Sequence, residues 1–256
     1  MKTALIGYTG FVGSNLSSQF TFTDRYNSKN INSIEGKSYD LIVSAGTSSL
    51  KWKANQEGDK DWRGILSLIN PLKSVKARQF VLISTVDIYP NPQKVDEDTP
   101  VSESDISQPY GKNRFRLEEF VREQFKKATI IRCPQLFGPG LKKNFIYDLI
   151  HHNALDFTHK DSLFQWYNVA HMWQDIQIAV KNNVSLINFA TEPTRAQEVA
   201  EKCAGMAFST ITKNPPLNYN FYTTYADLFG SHGNYLYRKK QIFREIKEVI
   251  DHERSL

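Results

Sequence analysis

Forty per cent of the 256 residues are hydrophobic and 23% are charged, a balance that closes a large core in one globular domain of ordinary make-up. The net charge of +5 is mild for this length. The basic residues lie beside acids, as over residues 112–127, which reads as solvated helix faces ahead of a nucleic-acid groove.

No apolar run nears the ~20 residues of a membrane span, and the longest, residues 80–83, is strand-sized. The two cysteines, Cys133 and Cys203, stand far apart, so a reducing, cytoplasmic setting is expected over a disulfide scaffold.

Residues 3–6 form an apolar strand pattern. Gly7, Gly10 and Gly13 follow, and Phe11, Val12 and Leu16 begin a helical stripe. Strand, glycine turn and helix in that order present a helix N-terminus to a pyrophosphate. Gly7 turns the chain off the strand, Gly10 clears a side chain from the phosphate, and Gly13 lets the helix approach the sheet. Thr9, Phe11 and Val12 complete the expected cofactor loop. The spacing is G-x-x-G-x-x-G, not the dinucleotide fingerprint G-x-G-x-x-G. Gly7 also cuts the apolar run behind Lys2, leaving it short of the roughly 7–15 residues of an export core.

Residues 20–26 read as a second strand, whose end is expected at the adenosine ribose. Asp24 there suits NAD. Arg25 followed by Asn27 and Ser28 suits a 2′-phosphate, and the lean is to NADP. Residues 39–43 form a third strand that runs into Ser44, Ala45 and Gly46, small residues at the edge where ligands sit in open α/β sheets.

Residues 59–75 carry helical spacing through Trp62, Ile65, Leu66 and Ile69, with Pro71 expected to kink or end the helix. Residues 80–84 read as an apolar strand buried on both faces. Strands alternating with helices at this pitch predict a doubly wound parallel sheet.

The run Ser84-Thr85-Val86-Asp87-Ile88-Tyr89 puts Thr85 at the ligand edge. A polar loop over residues 90–109 leads into a helix over residues 110–127, opening Tyr110-Gly111-Lys112-Asn113-Arg114. Tyr110 and Arg114 share a face. A phenol beside a fixed cation ionises more easily, and Thr85 can share the substrate oxygen. Together they predict a proton relay beside a nicotinamide.

The ordered set resembles the extended short-chain dehydrogenase/reductases, the NAD-dependent epimerase/dehydratase family. Gly7, Gly10 and Gly13 match its cofactor motif, and Ser44-Ala45-Gly46 its strand end. Thr85 matches its Ser/Thr position and Tyr110 its catalytic tyrosine. Arg132-Cys133-Pro134-Gln135-Leu136-Phe137-Gly138-Pro139 is similar to its Arg-x-x-Asn-Val-Tyr-Gly-Pro signature, and residues 167–176 to the segment that returns to the sheet.

The resemblance implies a single Rossmann-like domain over residues 1–256 with a small substrate lobe drawn mainly from residues 140–256. It implies NADP or NAD as cofactor, with Ser44, Ala45, Gly46, Ser84, Tyr110, Arg114 and Pro134 adding to the loop contacts. It implies a carbonyl or secondary alcohol of a nucleotide-sugar as substrate, met by Thr47, Asp87, Tyr89, Gln135 and Asn144. It also implies a homodimer through the helices at residues 59–75 and 110–127.

Two departures stand out. Arg114 replaces the family lysine, and Gln135 replaces the signature asparagine. The first motivates an alternative, a catalytically degenerate dinucleotide sensor or regulator.

In the last third, helices are expected over residues 144–153, 193–203 and 237–253, and a strand over 186–190. Ile242, Ile246, Val249 and Ile250 share one side of the last helix. Phe221, Tyr222, Tyr225, Phe229, Tyr235 and Tyr237 are read as packing residues ahead of base-stacking ones. His151, His152 and His159 lack companions at ligand spacing and are read as surface residues, with no metal. Glu97 and Asp98 are further acid–base candidates, and His171 has no assigned role.

Overall fold

The computed structural model describes residues 1–255 of the chain. The strands are β1 (Thr3–Ile6), β2 (Asp24–Tyr26), β3 (Ser38–Ser44), β4 (Lys76–Thr85), β5 (Ala128–Cys133), β6 (Gln135–Phe137), β7 (Leu163–Phe164), β8 (Trp166–Asn168), β9 (Leu186–Asn188) and β10 (Thr194–Arg195). The helices are α1 (Phe11–Gln19), α2 (Lys51–Gln56), α3 (Gly58–Leu72), α4 (Pro109–Gln124), α5 (Phe145–His151), α6 (Met172–Lys181), α7 (Ala196–Ala204) and α8 (Lys239–Arg254).

They form two compact units. The first comprises Met1–Pro90, Thr99–Arg132 and Met172–Ile187, and the second comprises Asn91–Asp98, Cys133–His171 and the residues from Asn188 onward.

The first unit is built on a six-stranded sheet in the order β2-β1-β3-β4-β5-β9. β1 is parallel to both β2 and β3, and β3 is parallel to β4. The chain leaves β1 outward to β2 and then returns on the other side as β3. The β1/β3 boundary is therefore the topological switch point, where open sheets bind ligands.

β1 is buried at all four positions, as a strand covered on both faces should be. Ile65, Leu68, Ile69 and Leu72 of α3 and Leu117 and Val121 of α4 share one core with Ile42, Phe80 and Leu82. Pro71 falls in the last turn of α3, which ends at Leu72.

Several elements differ from the expectation, β2, β4 and α2 among them. β2 begins only at Asp24, because Thr3 and Thr23 replace ladder bonds with side-chain bonds: each backbone N–H donates to the other's hydroxyl, at 3.1 and 3.0 Å. Phe20 instead stacks on Trp173 at 4.1 Å, and Phe22 meets Trp173 edge-on at 5.6 Å. β4 begins earlier, at Lys76, because its polar first half pairs with β3 through Ser38↔Lys76 and Tyr39↔Ala77. α2 was not expected at all.

In the second unit, α5, α7 and α8 enclose a core with Phe137, Phe145, Phe164 and Trp166. Ile242, Ile246 and Ile250 of α8 are buried in it, with Val249 at its margin. Phe221 is fully buried, Tyr222 meets Tyr235 edge-on at 5.8 Å, and Tyr237 stacks on His171 at 4.8 Å.

Glu97 is a structural strap here, which corrects its reading as an acid or base. Its carboxylate accepts the Asn188 N–H at 2.7 Å, the Thr223 hydroxyl at 2.6 Å and the Thr224 N–H at 2.9 Å.

Candidate active site

Gly7 carries a positive φ of 84°, and its N–H donates to the Tyr26 carbonyl at 2.7 Å. A Cβ there would lie 2.5 Å from the Ala45 carbonyl oxygen, so only glycine fits where β1, β2 and β3 converge. A Cβ on Gly13 would drive into the Gly7 carbonyl, so this glycine sets the approach of α1 to the sheet.

Gly10 differs from both. It is exposed, it caps α1, and a Cβ on it would meet only the Gly7 carbonyl oxygen at 3.4 Å. The α1 N-terminus has neither a side-chain cap nor an acid in its first turn. Its first N–H groups therefore face outward past a bare backbone, with the positive end of the helix dipole behind them. Thr9 is exposed beside Gly10, while Phe11 and Val12 are half-buried.

This cradle fits a pyrophosphate. Ser44 Oγ, at the end of β3, and Arg114 Nε are also buried without a hydrogen-bond partner. Each such orphan costs about 1–3 kcal/mol, a cost that a bound ligand can relieve.

At the ribose end, Asp24 is not available. It opens β2 instead of closing it, and its carboxylate accepts the Tyr39 hydroxyl at 2.5 Å. Tyr39 meets Tyr26 at 2.7 Å, and Lys37 Nζ donates to the Tyr26 hydroxyl at 2.9 Å. Burial and the Asp24 carboxylate push the Tyr39 phenol far above its ordinary value.

This chain of groups ties β2 to β3 and leaves the following turn to the ligand edge. In that turn Asn27 Oδ1 accepts the Lys29 N–H at 2.9 Å, while Arg25 and Ser28 are exposed.

At the end of β4, Thr85 caps a short turn by accepting the Asp87 N–H at 3.2 Å. Its side chain lies beside the Tyr110 hydroxyl. Tyr110 enters at the first turn of α4, where its own N–H donates to Asn55 Oδ1 at 2.9 Å. Gly111 is required beside it, since a Cβ would strike the Asp87 carbonyl oxygen. Tyr110 and Thr85 thus lie side by side at this edge.

The expected ease of ionisation is not met. Burial raises the Tyr110 phenol above its ordinary value, and Asp87 adds to the rise. Arg114, Lys51 and Thr85 act in the opposite direction and are outweighed. The Arg114 reading is corrected with it. The guanidinium is buried, ion-paired to Asp61 and hydrogen-bonded to the Ser48 carbonyl, with its centre 4.1 Å over the face of the Tyr110 ring. Asp61 also accepts from Asn113 at 2.9 Å. Arg114 therefore serves a buried pair first, and only its Nε is left without a hydrogen-bond partner.

Ser84 and Tyr89 also have interior roles in place of the predicted contacts with cofactor and substrate. The Ser84 hydroxyl donates to Glu118 Oε1 at 2.6 Å. Glu118 is fully buried and receives Arg132 through Nη2 at 2.8 Å and Nε at 3.2 Å. Tyr89 is buried, with the Arg132 guanidinium 4.8 Å from its ring centre. This network locks β4, α4 and β5 in register. Glu118 went unread in the sequence, although it follows Arg114 by one helical turn and precedes Arg122 by another.

Ala45, Gly46 and Thr47 are half-buried at the end of β3, and Asp87 pairs with Lys51 at 2.7 Å. In the second unit, Pro134 and Gln135 are half-buried, with Gln135 opposite Trp166 in β6. Asn144 is a helix cap instead of a substrate ligand. Its Oδ1 accepts from Ile146 and Tyr147 at 3.0 and 3.3 Å, and its Nδ2 donates to the Leu136 carbonyl at 2.9 Å.

A glycine cradle at the switch point, with a tyrosine–threonine pair two strands along, defines a dinucleotide-dependent enzyme of the doubly wound class. The family model described as "NAD dependent epimerase/dehydratase family" matches residues 19–174, more than half of the chain, and the chain belongs to that family. The match begins after the glycine turn. No curated protein matches the chain.

Among solved structures, dTDP-4-dehydrorhamnose reductase from Bacillus anthracis in complex with NADP is 16% identical. It aligns over 98% of this chain and 99% of its own, with a TM-score of 0.75. UDP-glucose 4-epimerase from Thermotoga maritima with UDP-glucose is 14% identical over 100% and 99%, with a TM-score of 0.73. RMD from Pseudomonas aeruginosa complexed with NADPH is 14% identical over 100% and 99%, with a TM-score of 0.77. At these identities the likeness is one of fold.

Proposed function

We propose that the chain is an NAD(P)-dependent oxidoreductase or epimerase that acts on a carbonyl or secondary alcohol of a nucleotide-sugar. The observation that carries this reading is the placement of Tyr110 beside Thr85 at the C-terminal edge of a parallel sheet whose first strand ends in the glycine cradle. Binding alone does not need that pair, which weighs against a purely regulatory role. The structural neighbours, solved with NADP, NADPH or UDP-glucose, point the same way.

The N–H groups of the first turn of α1, left bare by the absence of a side chain on Gly10, hold the pyrophosphate. The bound nicotinamide supplies or accepts the hydride. Tyr110, kept protonated by burial, gives its proton to the substrate oxygen, and Thr85 orients it. Thr47, Asp87, Pro134 and Gln135 are assigned to the ligands on the same reading. A phenol held neutral favours the reductive direction.

NADP is the preferred cofactor in this reading. Asp24 is engaged by Tyr39, whereas Arg25 and Ser28 are exposed for a 2′-phosphate. Calorimetric titration with NADPH and NADH, followed by turnover on a panel of nucleotide-sugars, tests both parts. No heat with either dinucleotide would sink the reading.

Pairing of two copies through α3 and α4 is part of the proposal. Trp62 and Phe120, one on each helix, are only partly buried. A reducing, cytoplasmic setting is also part of it, since both cysteines are buried free thiols and burial pushes Cys203 up to about 12.

No helix among the described residues is long and apolar enough to cross a membrane.

A further inference from the structure

The segment that leaves β3 is pinned at three points to residues of the candidate site. The Arg114 guanidinium holds the Ser48 carbonyl, Lys51 Nζ lies 2.7 Å from Asp87 Oδ1, and Asn55 Oδ1 accepts the Tyr110 backbone N–H at 2.9 Å. Between these anchors two large apolar side chains stand in solvent, Leu50 at 41% and Trp52 at 62% exposure. Of the four tryptophans Trp52 alone is exposed; Trp166 is fully buried, and Trp62 and Trp173 are half-buried.

A surface apolar residue taken singly needs no explanation. Trp52 differs because the backbone on both sides of it is fixed to the site, so its ring is held at the rim before any ligand arrives. Trp52 stands three residues before Asn55 and shares a side of α2 with it, while Ala54 is buried. A helical side chain leans toward the start of its helix and covers the turn before its own Cα. The indole is thereby directed back over the chain that leaves Ala45, Gly46 and Thr47 at the ligand edge, away from α3.

The geometry assigns Trp52 to substrate recognition: its indole face is a platform for the sugar ring of the nucleotide-sugar. The assignment rests on the nucleotide-sugar reading of the site and adds to it a residue that selects the sugar. One face of a pyranose presents a row of weakly positive C–H bonds, which complement the apolar, electron-rich face of an aromatic ring. The sugar is the occupant, since the oxygen that meets Tyr110 belongs to it and the base lies a diphosphate further off. 

Trp52→Ala and Trp52→Phe change an exposed side chain, so both should keep the wild-type melting temperature. They are titrated beside the wild type, each loaded with NADPH, with UDP-glucose, dTDP-glucose and GDP-mannose. The nucleoside diphosphate that corresponds to the tightest of the three is titrated as well. Trp52→Ala is expected to weaken that nucleotide-sugar by roughly three- to tenfold, the scale of one stacked ring, and to leave the bare diphosphate unchanged. Trp52→Phe should recover part of the loss. General loosening of the site would weaken both ligands together, so the difference between them is the diagnostic reading.

Unchanged affinity for the nucleotide-sugar in Trp52→Ala overturns the assignment, and so does an equal loss for sugar nucleotide and diphosphate. A ligand-free tryptophan emission that shifts with protein concentration in the wild type but not in Trp52→Phe would show a second copy on the indole, and would also overturn it. Wild-type protein that binds NADPH and none of the three nucleotide-sugars removes the nucleotide-sugar reading, and this assignment with it. Absence of NADPH binding reports separately on the dinucleotide reading.

Discussion

A phenol pushed up by burial suits a proton donor, the role proposed for Tyr110. Its neighbours divide the work: Thr85 lies beside the hydroxyl, Asn55 fixes the backbone, and Gly111 makes room against Asp87. Tyr110→Phe keeps ring and packing but removes the proton. Dinucleotide affinity should be unchanged by calorimetry, while turnover of the reactive nucleotide-sugar falls by roughly 10²–10⁴-fold, the usual range for one acid–base group.

Arg114 makes a different prediction, because its partner is buried. Arg114→Met strands Asp61 and should cost about 3–5 kcal/mol in urea unfolding, the range for breaking a buried pair. Arg114→Lys should also lose stability, since a compact ammonium cannot keep both the Asp61 and Ser48 contacts and the stacking on Tyr110. A gain of activity in Arg114→Lys would show that the wild-type arginine is a degenerate substitute.

Elements are held by buried charges as much as by apolar packing. Glu118 of α4 gathers Ser84 from β4 and Arg132 from β5, so the helix that carries Tyr110 cannot slide relative to the strand that carries Thr85. Glu118→Gln should therefore lower stability and turnover together, read by urea unfolding and by activity on one preparation.

In the second unit, α8 is fastened through Glu245, which lies 3.0 Å from His171 Nε2 and accepts from Asn168 and Gln241 at 2.9 and 2.8 Å. Burial pushes its carboxyl up, but these hydrogen bonds outweigh burial and hold it below the usual range. A depressed native value contributes stability above the unfolded pKa of about 4.3, and that contribution is lost as pH falls through the native value. Melting temperature should fall with acid across that window. In Glu245→Gln the fall should be shallower.

For the whole molecule, a ligand that binds only the folded chain shifts its melting by mass action. NADPH at 100 times its Kd should stabilise the protein by about 2.7 kcal/mol, and NADH at the same concentration should give less if Arg25 reads a 2′-phosphate. Equal shifts for the two would remove the argument for NADP. Light scattering at micromolar concentration should return twice the 29.5 kDa chain mass if α3 and α4 pair two copies.

Local signals carried much of the architecture. The glycine turn, the strand-then-helix alternation and the apolar stripe of α8 each depend on neighbours in sequence, through backbone freedom and hydrophobic period, and they could be read from the chain alone. So could the place of Thr85 at the ligand edge, because the ends of parallel strands share one edge. Tertiary structure decided the rest.

Asp24 looks like a ribose ligand until Tyr39, on another strand, takes its carboxylate. Arg114 looks like a free cation until Asp61 on α3 neutralises it, and α2 has no periodic signal with which to announce Lys51. The phenol of Tyr110 shifts upward because burial exceeds the pull of two nearby cations. A side chain's charge and exposure depend on groups far away in sequence, and composition and spacing do not encode those distances.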